Sequence, residues 1–116
     1  MVYQCHAIAI NETLTSACAK KHAHLSSRAD AALSAWKVRN EGKAVIYAKE
    51  CEEKFSAMGK NDEERNLFQS ALEKEKGEFI RDAEWRVNTE GSAFCEDWIY
   101  RIVNDKWFAL GKGFSK

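Results

Sequence analysis

The fold is decided by residues 27–58, which read SRADAALSAWKVRNEGKAVIYAKECEEKFSAM and contain no proline. Apolar or large side chains recur there at steps of three and four residues, which is the spacing of one face of an α-helix. That face is formed by Ala29, Leu33, Trp36, Asn40, Ala44, Tyr47, Cys51, Phe55 and Met58. The stretch therefore predicts one long amphipathic helix.

Residues at the ends of this stretch predict where the helices begin and stop. Ser27 is a capping residue type, and Gly59 can end the helix in a left-handed conformation. Asn61 then caps a second long helix, whose apolar face runs from Leu67 to Val87. A shorter helix capped by Asn11 precedes them. We expect one domain over residues 1–116, with an extended segment at 1–10 and helices at about 11–24, 27–58, 61–88 and 92–110.

Four helices with short connections predict an all-α fold, arranged as an antiparallel up-and-down four-helix bundle stabilised by disulfides. Gly42 and Gly77 lie at equal distances on either side of the turn at Gly59 and Lys60. They indicate a close crossing of the second and third helices, a shared bend in these helices, or two glycines tolerated at the surface.

The four cysteines Cys5, Cys18, Cys51 and Cys95 allow three disulfide pairings. Cys18 and Cys95 both lie within a few residues of turns at the same end of the predicted bundle. Cys51 lies about 38 Å along the helix from that end, and the chain running back to Cys5 covers a similar distance. Because bridged Cα atoms lie within about 7 Å of each other, the sequence predicts Cys5–Cys51 and Cys18–Cys95 disulfides.

Composition and cysteine content indicate the compartment. The chain has 18 basic and 18 acidic residues, so it lacks the positive surplus of a nucleic-acid binder. It also lacks an apolar run long enough to span a membrane. Disulfides favour a periplasmic or secreted protein whose signal peptide is presumed removed, with Met1 in place of the leader. The alternative is a cytosolic protein with four free thiols.

The candidate chemistry is sparse. Cys18 and His22 share one helix face and are two potential zinc ligands. A zinc site would also need His24 or His6 as a further ligand. A cysteine in a disulfide cannot be a ligand, however, so we expect no metal site. No catalytic residues are predicted and no cofactor is expected, and the chain is therefore expected not to be an enzyme.

The last helix carries more aromatic residues than one buried face needs. Its predicted core face is formed by Cys95, Trp98, Ile99, Ile102, Val103 and Leu110. Tyr100, Trp107 and Phe108 lie on other faces, so this helix is either the centre of the bundle or a surface that meets a partner. We take these three residues as the candidate interface, since Tyr and Trp often anchor interfaces. Core filling is the alternative role.

Residues 5–51 carry a pattern of cysteines, small residues and a tryptophan, and a later glycine and cysteine extend it. The pattern consists of Cys5, Cys18, RADAAL at 28–33, WKVRN at 36–40, Cys51, Gly91-Ser92 and Cys95. It resembles small cysteine-bridged, all-helical periplasmic proteins of Gram-negative bacteria, namely the LprI-like lysozyme inhibitors and the amidase immunity proteins. Ser34 stands where the lysozyme-inhibitor pattern has Asn. The resemblance implies an extracytoplasmic protein that binds other proteins, and it assigns no inhibitory residue.

These features together predict a protein-binding module, and more specifically an inhibitor or immunity protein that occludes a cell-wall-directed enzyme. The expected partner is another protein, an extracytoplasmic enzyme, and homodimerisation stays open. The alternative is a helical bundle that binds a small apolar ligand or a metal in an interior pocket. Asn40 would then be a polar anchor of that pocket, or else a buried residue bonded to a neighbouring helix. A purely structural subunit is a third class.

Overall fold

The computed structural model describes the backbone of residues 2–105 and the side chains of residues 5–105. The described chain contains four α-helices, one short 3-10 turn at Ala23–Leu25 and no β-strand. The helices are α1 (Val2–Lys21), α2 (Ser26–Met58), α3 (Asp62–Thr89) and α4 (Ala93–Val103). The all-α fold class is therefore confirmed. None of these helices is both long enough and apolar enough to cross a membrane.

The first helix is longer than predicted. The expectation of extended chain over residues 1–10 is wrong, because α1 begins at Val2 and departs from helical dihedral angles only at His6. Ala7, Ile10, Leu14 and Cys18 are buried along it at helical spacing. Asn11, predicted as the cap of a shorter helix, lies inside α1 and is fully buried.

The composition of its buried face explains why the pattern of α1 was missed. That face is a single stripe, but it places the polar residues Asn11 and Thr15 beside the apolar Ile10 and Leu14, which weakens the apolar pattern. The main core surrounds α1, and a smaller cluster joins Cys5, Cys51 and Leu72, with Phe55 packed against it. The largest fully buried side chains of the main core are Trp36, Ile10, Leu14, Leu25, Ile102 and Val87.

The turn between α2 and α3 uses a cap and a close backbone approach. The Asn61 side chain accepts a hydrogen bond from the Glu64 backbone N–H at 2.9 Å, as expected of a capping residue. Gly59 has φ −84° and ψ 134°, so the predicted left-handed end of α2 is wrong. A Cβ atom at Gly59 would lie 2.8 Å from the Arg65 backbone nitrogen. The glycine is needed there because the first turn of α3 packs against it.

The structure decides between the roles left open for Gly42 and Gly77, and it corrects one predicted position on each of α2 and α3. Nothing lies within 4 Å of a Cβ atom placed at Gly42, and at Gly77 the nearest atom belongs to Arg81 on the same helix. Neither glycine therefore marks a close helix crossing. Met58 and Leu67, both placed on predicted apolar faces, are 55% and 63% exposed. Met58 is the last residue of α2 and Leu67 lies in the second turn of α3, so both are near the end of the helix pair at Gly59.

The last described helix is shorter than predicted. It ends at Val103, with Asn104 as its C-cap and Asp105 in the left-handed conformation at φ 52°. Residues 106–110, which the predicted helix included, lie outside the described residues. Val103, assigned to the core face, is 50% exposed.

The C-terminal end of α4 is held by two residues of α2. The Arg39 guanidinium donates to the Ile102 carbonyl at 2.9 Å and to the Asp105 carboxylate at 3.1 Å. Asn40 donates to the other Asp105 oxygen at 3.0 Å. A cation at this position satisfies free carbonyls and opposes the negative end of the helix dipole. These contacts fix the rotation of α4 on α2.

All four cysteines form disulfides. Cys5 pairs with Cys51 at a Cα separation of 5.5 Å, and Cys18 pairs with Cys95 at 5.6 Å. These are the two predicted pairs, and both Cα separations match disulfide geometry. The first disulfide joins α1 to α2 and the second joins α1 to α4.

Candidate functional site

The predicted interface residues fall on or beyond α4. Tyr100 is 55% exposed, so it does not fill the core. Trp107 and Phe108 lie outside the described residues. Val38 on α2 is 87% exposed and directly precedes Arg39, whose guanidinium binds α4. Val38 and Tyr100 are thus exposed large side chains on α2 and α4.

A groove between α3 and α4 lies on another flank of α4. It encloses about 340 Å³, and its floor includes Phe79, Phe94 and Trp98. The rings of Phe94 and Trp98 stack with centroids 6.4 Å apart. Trp98 turns its indole N–H into the core, where it donates to the Thr15 hydroxyl at 3.3 Å. The groove thus presents aromatic surface while the polar end of its tryptophan is satisfied inside.

Charged side chains form the rim of this α3–α4 groove. The Arg86 guanidinium lies 5.0 Å from the centroid of the Phe94 ring, within cation–π range. Arg86 also donates to the Glu90 carboxylate at 2.8 Å. On α4, Arg101 donates to Asp97 at 2.7 Å. An apolar floor with a paired-charge rim is the anatomy typical of protein interfaces.

The histidines considered as zinc ligands are not brought together with a cysteine. Cys18 is in a disulfide, and His22 Nε2 lies 3.3 Å from the Val87 carbonyl oxygen, to which it can donate. The His22 and His24 rings meet edge to face at 6.2 Å. Among the described residues, no group of three or more His, Cys, Asp or Glu is placed to hold a metal ion. Asn40 bonds to Asp105, as expected of a buried polar residue and not of an anchor in an interior pocket.

A second cleft lies beside the Cys5–Cys51 disulfide, where α1, α2 and α3 meet. It encloses about 420 Å³, and His6 lines it. His6 Nε2 lies 3.8 Å from one oxygen of Glu73, whose other oxygen is 3.0 Å from the Lys76 ammonium. The pKa of His6 is lowered by burial and by the positive charge of Lys76, and Glu73 opposes this only in part. His6 is therefore held in its neutral form.

We expect the His6 environment to make stability depend on pH. In the unfolded chain His6 binds a proton with its ordinary pKa of about 6.5, whereas in the folded protein that pKa is lower. The unfolded state therefore takes up more protons between these two values, and the free energy of unfolding falls as pH drops below about 6.5. The substitution His6→Gln should remove the contribution of His6 to this pH dependence of the free energy of unfolding.

Urea unfolding of both proteins at about pH 7.5 and about pH 5.5 measures this difference. The variant keeps Glu73, Lys76 and the other two histidines, His22 and His24, so the difference between the two proteins isolates His6. An equal loss of stability in the two proteins on acidification would contradict the expectation.

Several features of these sites were not found from the sequence. Phe79 lies on the apolar face predicted for the second long helix, but helical spacing does not report which helices face each other, so its place beside α4 was not predicted. The His6 cleft depends on α1 being helical from its first residues, where extended chain was expected.

The resemblance to LprI-like lysozyme inhibitors and amidase immunity proteins stays a prediction that rests on its cysteine pattern. The function proposed below therefore depends on the geometry of the described residues. Neither protein-family models, nor curated proteins, nor solved structures give a match to this chain.

Proposed function

We propose that the protein is a periplasmic or secreted protein-binding module, and specifically an inhibitor or immunity protein that occludes a cell-wall-directed enzyme. It has no catalytic chemistry of its own. The observation that carries this proposal is the α3–α4 groove, with aromatic rings on its floor and arginine–carboxylate pairs on its rim. Aromatic residues and arginine are the residue types that most often dominate binding energy at protein interfaces.

The disulfides support the proposed compartment. Two disulfides within a chain of this size favour an oxidising environment, because cytosolic thiols are kept reduced. An enzyme acting on the cell wall works in the same environment. Such an enzyme and this protein would lie in the same compartment, so the proposed location and the proposed partner agree.

The scaffold we propose is an antiparallel up-and-down bundle. The Cys5–Cys51 disulfide and the Glu12–Lys37 ion pair support opposite directions for α1 and α2. The Cys18–Cys95 disulfide and the bond between Thr15 and Trp98 support opposite directions for α1 and α4. A covalently tied scaffold loses little conformational freedom on binding, which favours affinity.

The mechanism we propose is steric occlusion. α4 is the recognition element, since one flank carries the aromatic groove and another carries Tyr100. Trp107 and Phe108 follow Asp105 by two and three positions in the chain and complete the set of anchors. A rigid helix inserted at the mouth of an enzyme cleft blocks substrate without any reaction.

Inhibition of peptidoglycan hydrolysis tests this function. We expect the protein to slow one of a panel of lysozymes and cell-wall amidases, and the triple variant Tyr100→Ala, Trp107→Ala, Phe108→Ala to weaken that inhibition at least about tenfold. Arg101→Ala should weaken it as well, because it removes one rim charge of the groove. Turbidity of a peptidoglycan suspension gives the rate.

Leu67→Ala is the matched control, since Leu67 is a 63% exposed apolar residue on α3 that lies outside the groove. Sedimentation of the triple variant is measured in parallel. If the triple variant no longer self-associates, and neither the parent nor the variant slows any enzyme of the panel, the surface joins two copies of the chain. If neither hydrolysis nor self-association changes, the interface assignment is wrong.

A further inference from the structure

We propose that the outward face of α2 joins two copies of this chain in an antiparallel, two-fold symmetric pair. This face carries an apolar strip, all of it exposed, which we call the α2 strip: Ala31, Ala35, Val38, Gly42, Val45 and Ile46. The strip shares no residue with the α3–α4 groove or with α4, so this contact goes beyond the enzyme-binding function proposed above.

The α2 strip has the spacing of a surface on which two helices pair. Its first five members follow one another at steps of four, three, four and three residues, which is the a/d repeat of a two-helix contact. Val38 is 87% exposed, and Val45 and Ile46 are 55% and 58% exposed. The other face of α2 is buried within the chain through residues such as Trp36 and Ala44. α2 therefore carries a second apolar face that its own fold leaves in water.

Gly42 gives the strip room for a close approach. Nothing lies within 4 Å of a Cβ atom placed at Gly42, so the space beside its backbone is open. In an antiparallel pair centred at residue 40, Val38 of each copy lies against Gly42 of the other. A β-branched side chain has few rotamers to lose on packing there, and its burial removes apolar surface from water.

The charges at the two ends of the strip favour the antiparallel orientation. The N-terminal end carries Arg28 and Asp30, and the C-terminal end carries Lys49, Glu52 and Glu53, all of them exposed. Pairing about residue 40 brings Arg28 opposite Glu52 and Glu53 of the second copy, and brings Asp30 opposite its Lys49. A parallel pair would bring each charge against its own copy, which is unfavourable. Within the described part of the chain, none of the five takes part in an ion pair.

Like charges near the two-fold axis are compensated inside each copy. Arg39 is ion-paired there with Asp105 at 3.1 Å. The pKa of Lys37 is raised by its hydrogen bond to Glu12 and by the charge of Glu41, so Glu41 has a cation close by. These charges therefore oppose the approach of a second copy less than isolated charges would.

The size of the contact predicts a weak dimer. Residues 28–53 of α2 rise about 38 Å along the helix, and one helix face is about 10–12 Å wide. Two copies paired along this length cover roughly 900 Å² in total, less than the roughly 1,200–2,000 Å² of standard specific interfaces. Since the apolar strip and the end charges are both complementary, we expect a reversible dimer with a dissociation constant of roughly 100 µM.

Sedimentation equilibrium of the full chain between about 10 µM and about 2 mM measures this association. We expect the average mass of the parent to rise from that of a monomer toward that of a dimer. Val38→Glu should weaken association at least about tenfold, because it places a charge in each half of the apolar contact. Leu67→Glu is the matched control, since it makes the same change at a 63% exposed residue of α3, and it should leave association unchanged.

Charge reversal tests the antiparallel orientation. Arg28→Glu should weaken association at least about threefold, because it sets like charges against Glu52 and Glu53 of the second copy. Adding Glu52→Arg and Glu53→Arg to the same chain makes these contacts opposite in charge again and should restore the affinity of the parent. In a parallel pair, Arg28→Glu would only replace one like-charge contact by another.

A parent that stays monomeric up to about 2 mM overturns the proposal, whichever other protein covers the strip. Equal weakening by Val38→Glu and Leu67→Glu also overturns it, and so does reversed charge that fails to restore association. Association that survives Val38→Glu but is lost in the triple variant of Tyr100, Trp107 and Phe108 places the contact at α4 instead. Inhibition of cell-wall enzymes is measured separately and should be unchanged in Val38→Glu, so this proposal and the proposed function can fail independently.

Discussion

Removing the Cys18–Cys95 disulfide by the double substitution Cys18→Ala, Cys95→Ala is expected to lower the free energy of unfolding by about 4 kcal/mol. The two cysteines are separated by 77 residues, so the disulfide closes a loop that includes most of the chain. The closed loop reduces the number of conformations open to the unfolded chain. Removing the disulfide therefore raises the conformational entropy of the unfolded state and stabilises it. A change of this size is a large fraction of the stability of a small domain.

The position of the disulfide adds to the effect. Both cysteines are fully buried in the main core, where they join the central helix α1 to α4. Alanine at both positions leaves space that the surrounding side chains fill only in part. α4 then depends on the Arg39 and Asn40 contacts at its other end to stay in place.

Urea unfolding followed by circular dichroism measures this prediction. The control is Cys5→Ala, Cys51→Ala, which removes a disulfide of separation 46 from the smaller and slightly more exposed cluster. We expect the control to lose somewhat less stability. Should the Cys18–Cys95 variant lie within about 1 kcal/mol of the parent, the disulfide would be secondary to packing in holding α4.

Helical spacing predicted the long helices because each has one buried face. The bounds of α2 were expected at 27–58 and are Ser26–Met58, and Asn61 caps α3 through the Glu64 backbone. The Cys18–Cys95 pair could be derived because both residues lie close to turns at one end of the bundle. The height of Cys5 was derived with extended chain over residues 1–10, so the Cys5–Cys51 pair was predicted correctly from a premise that the structure corrects. The helix over the first ten residues could not be derived, because that stretch is short and mixed in character, and the buried face that continues from it includes the polar Asn11 and Thr15.

The candidate sites were predicted in part, for a related reason. Tyr100 could be placed off the core face because α4 itself is amphipathic, and it is exposed. The groove needs Phe79 and Phe94 side by side, and the spacing within one helix says nothing about its rotation against another. The same limit hid the cleft at His6, whose lining comes from three helices.

Trp36→Ala is the other substitution with a large expected effect, a loss of about 3–5 kcal/mol in the free energy of unfolding. Trp36 is the largest fully buried side chain and belongs to the main core. Its removal takes away apolar contacts and leaves a cavity that a rigid, disulfide-tied bundle cannot collapse around easily.

Val38→Ala is the matched control, because Val38 lies on the same helix two positions later and is 87% exposed. We expect it to change the free energy of unfolding by less than about 0.5 kcal/mol. If Trp36→Ala fails to fold, Trp36→Phe gives the same test with a smaller cavity and an expected loss of about 1–2 kcal/mol. The Trp36 indole N–H has no hydrogen-bond partner, so phenylalanine loses packing and no polar contact. Equal stability of Trp36→Ala and Val38→Ala would mean that α2 does not bury its apolar stripe against α1, and the core assignment would then be wrong.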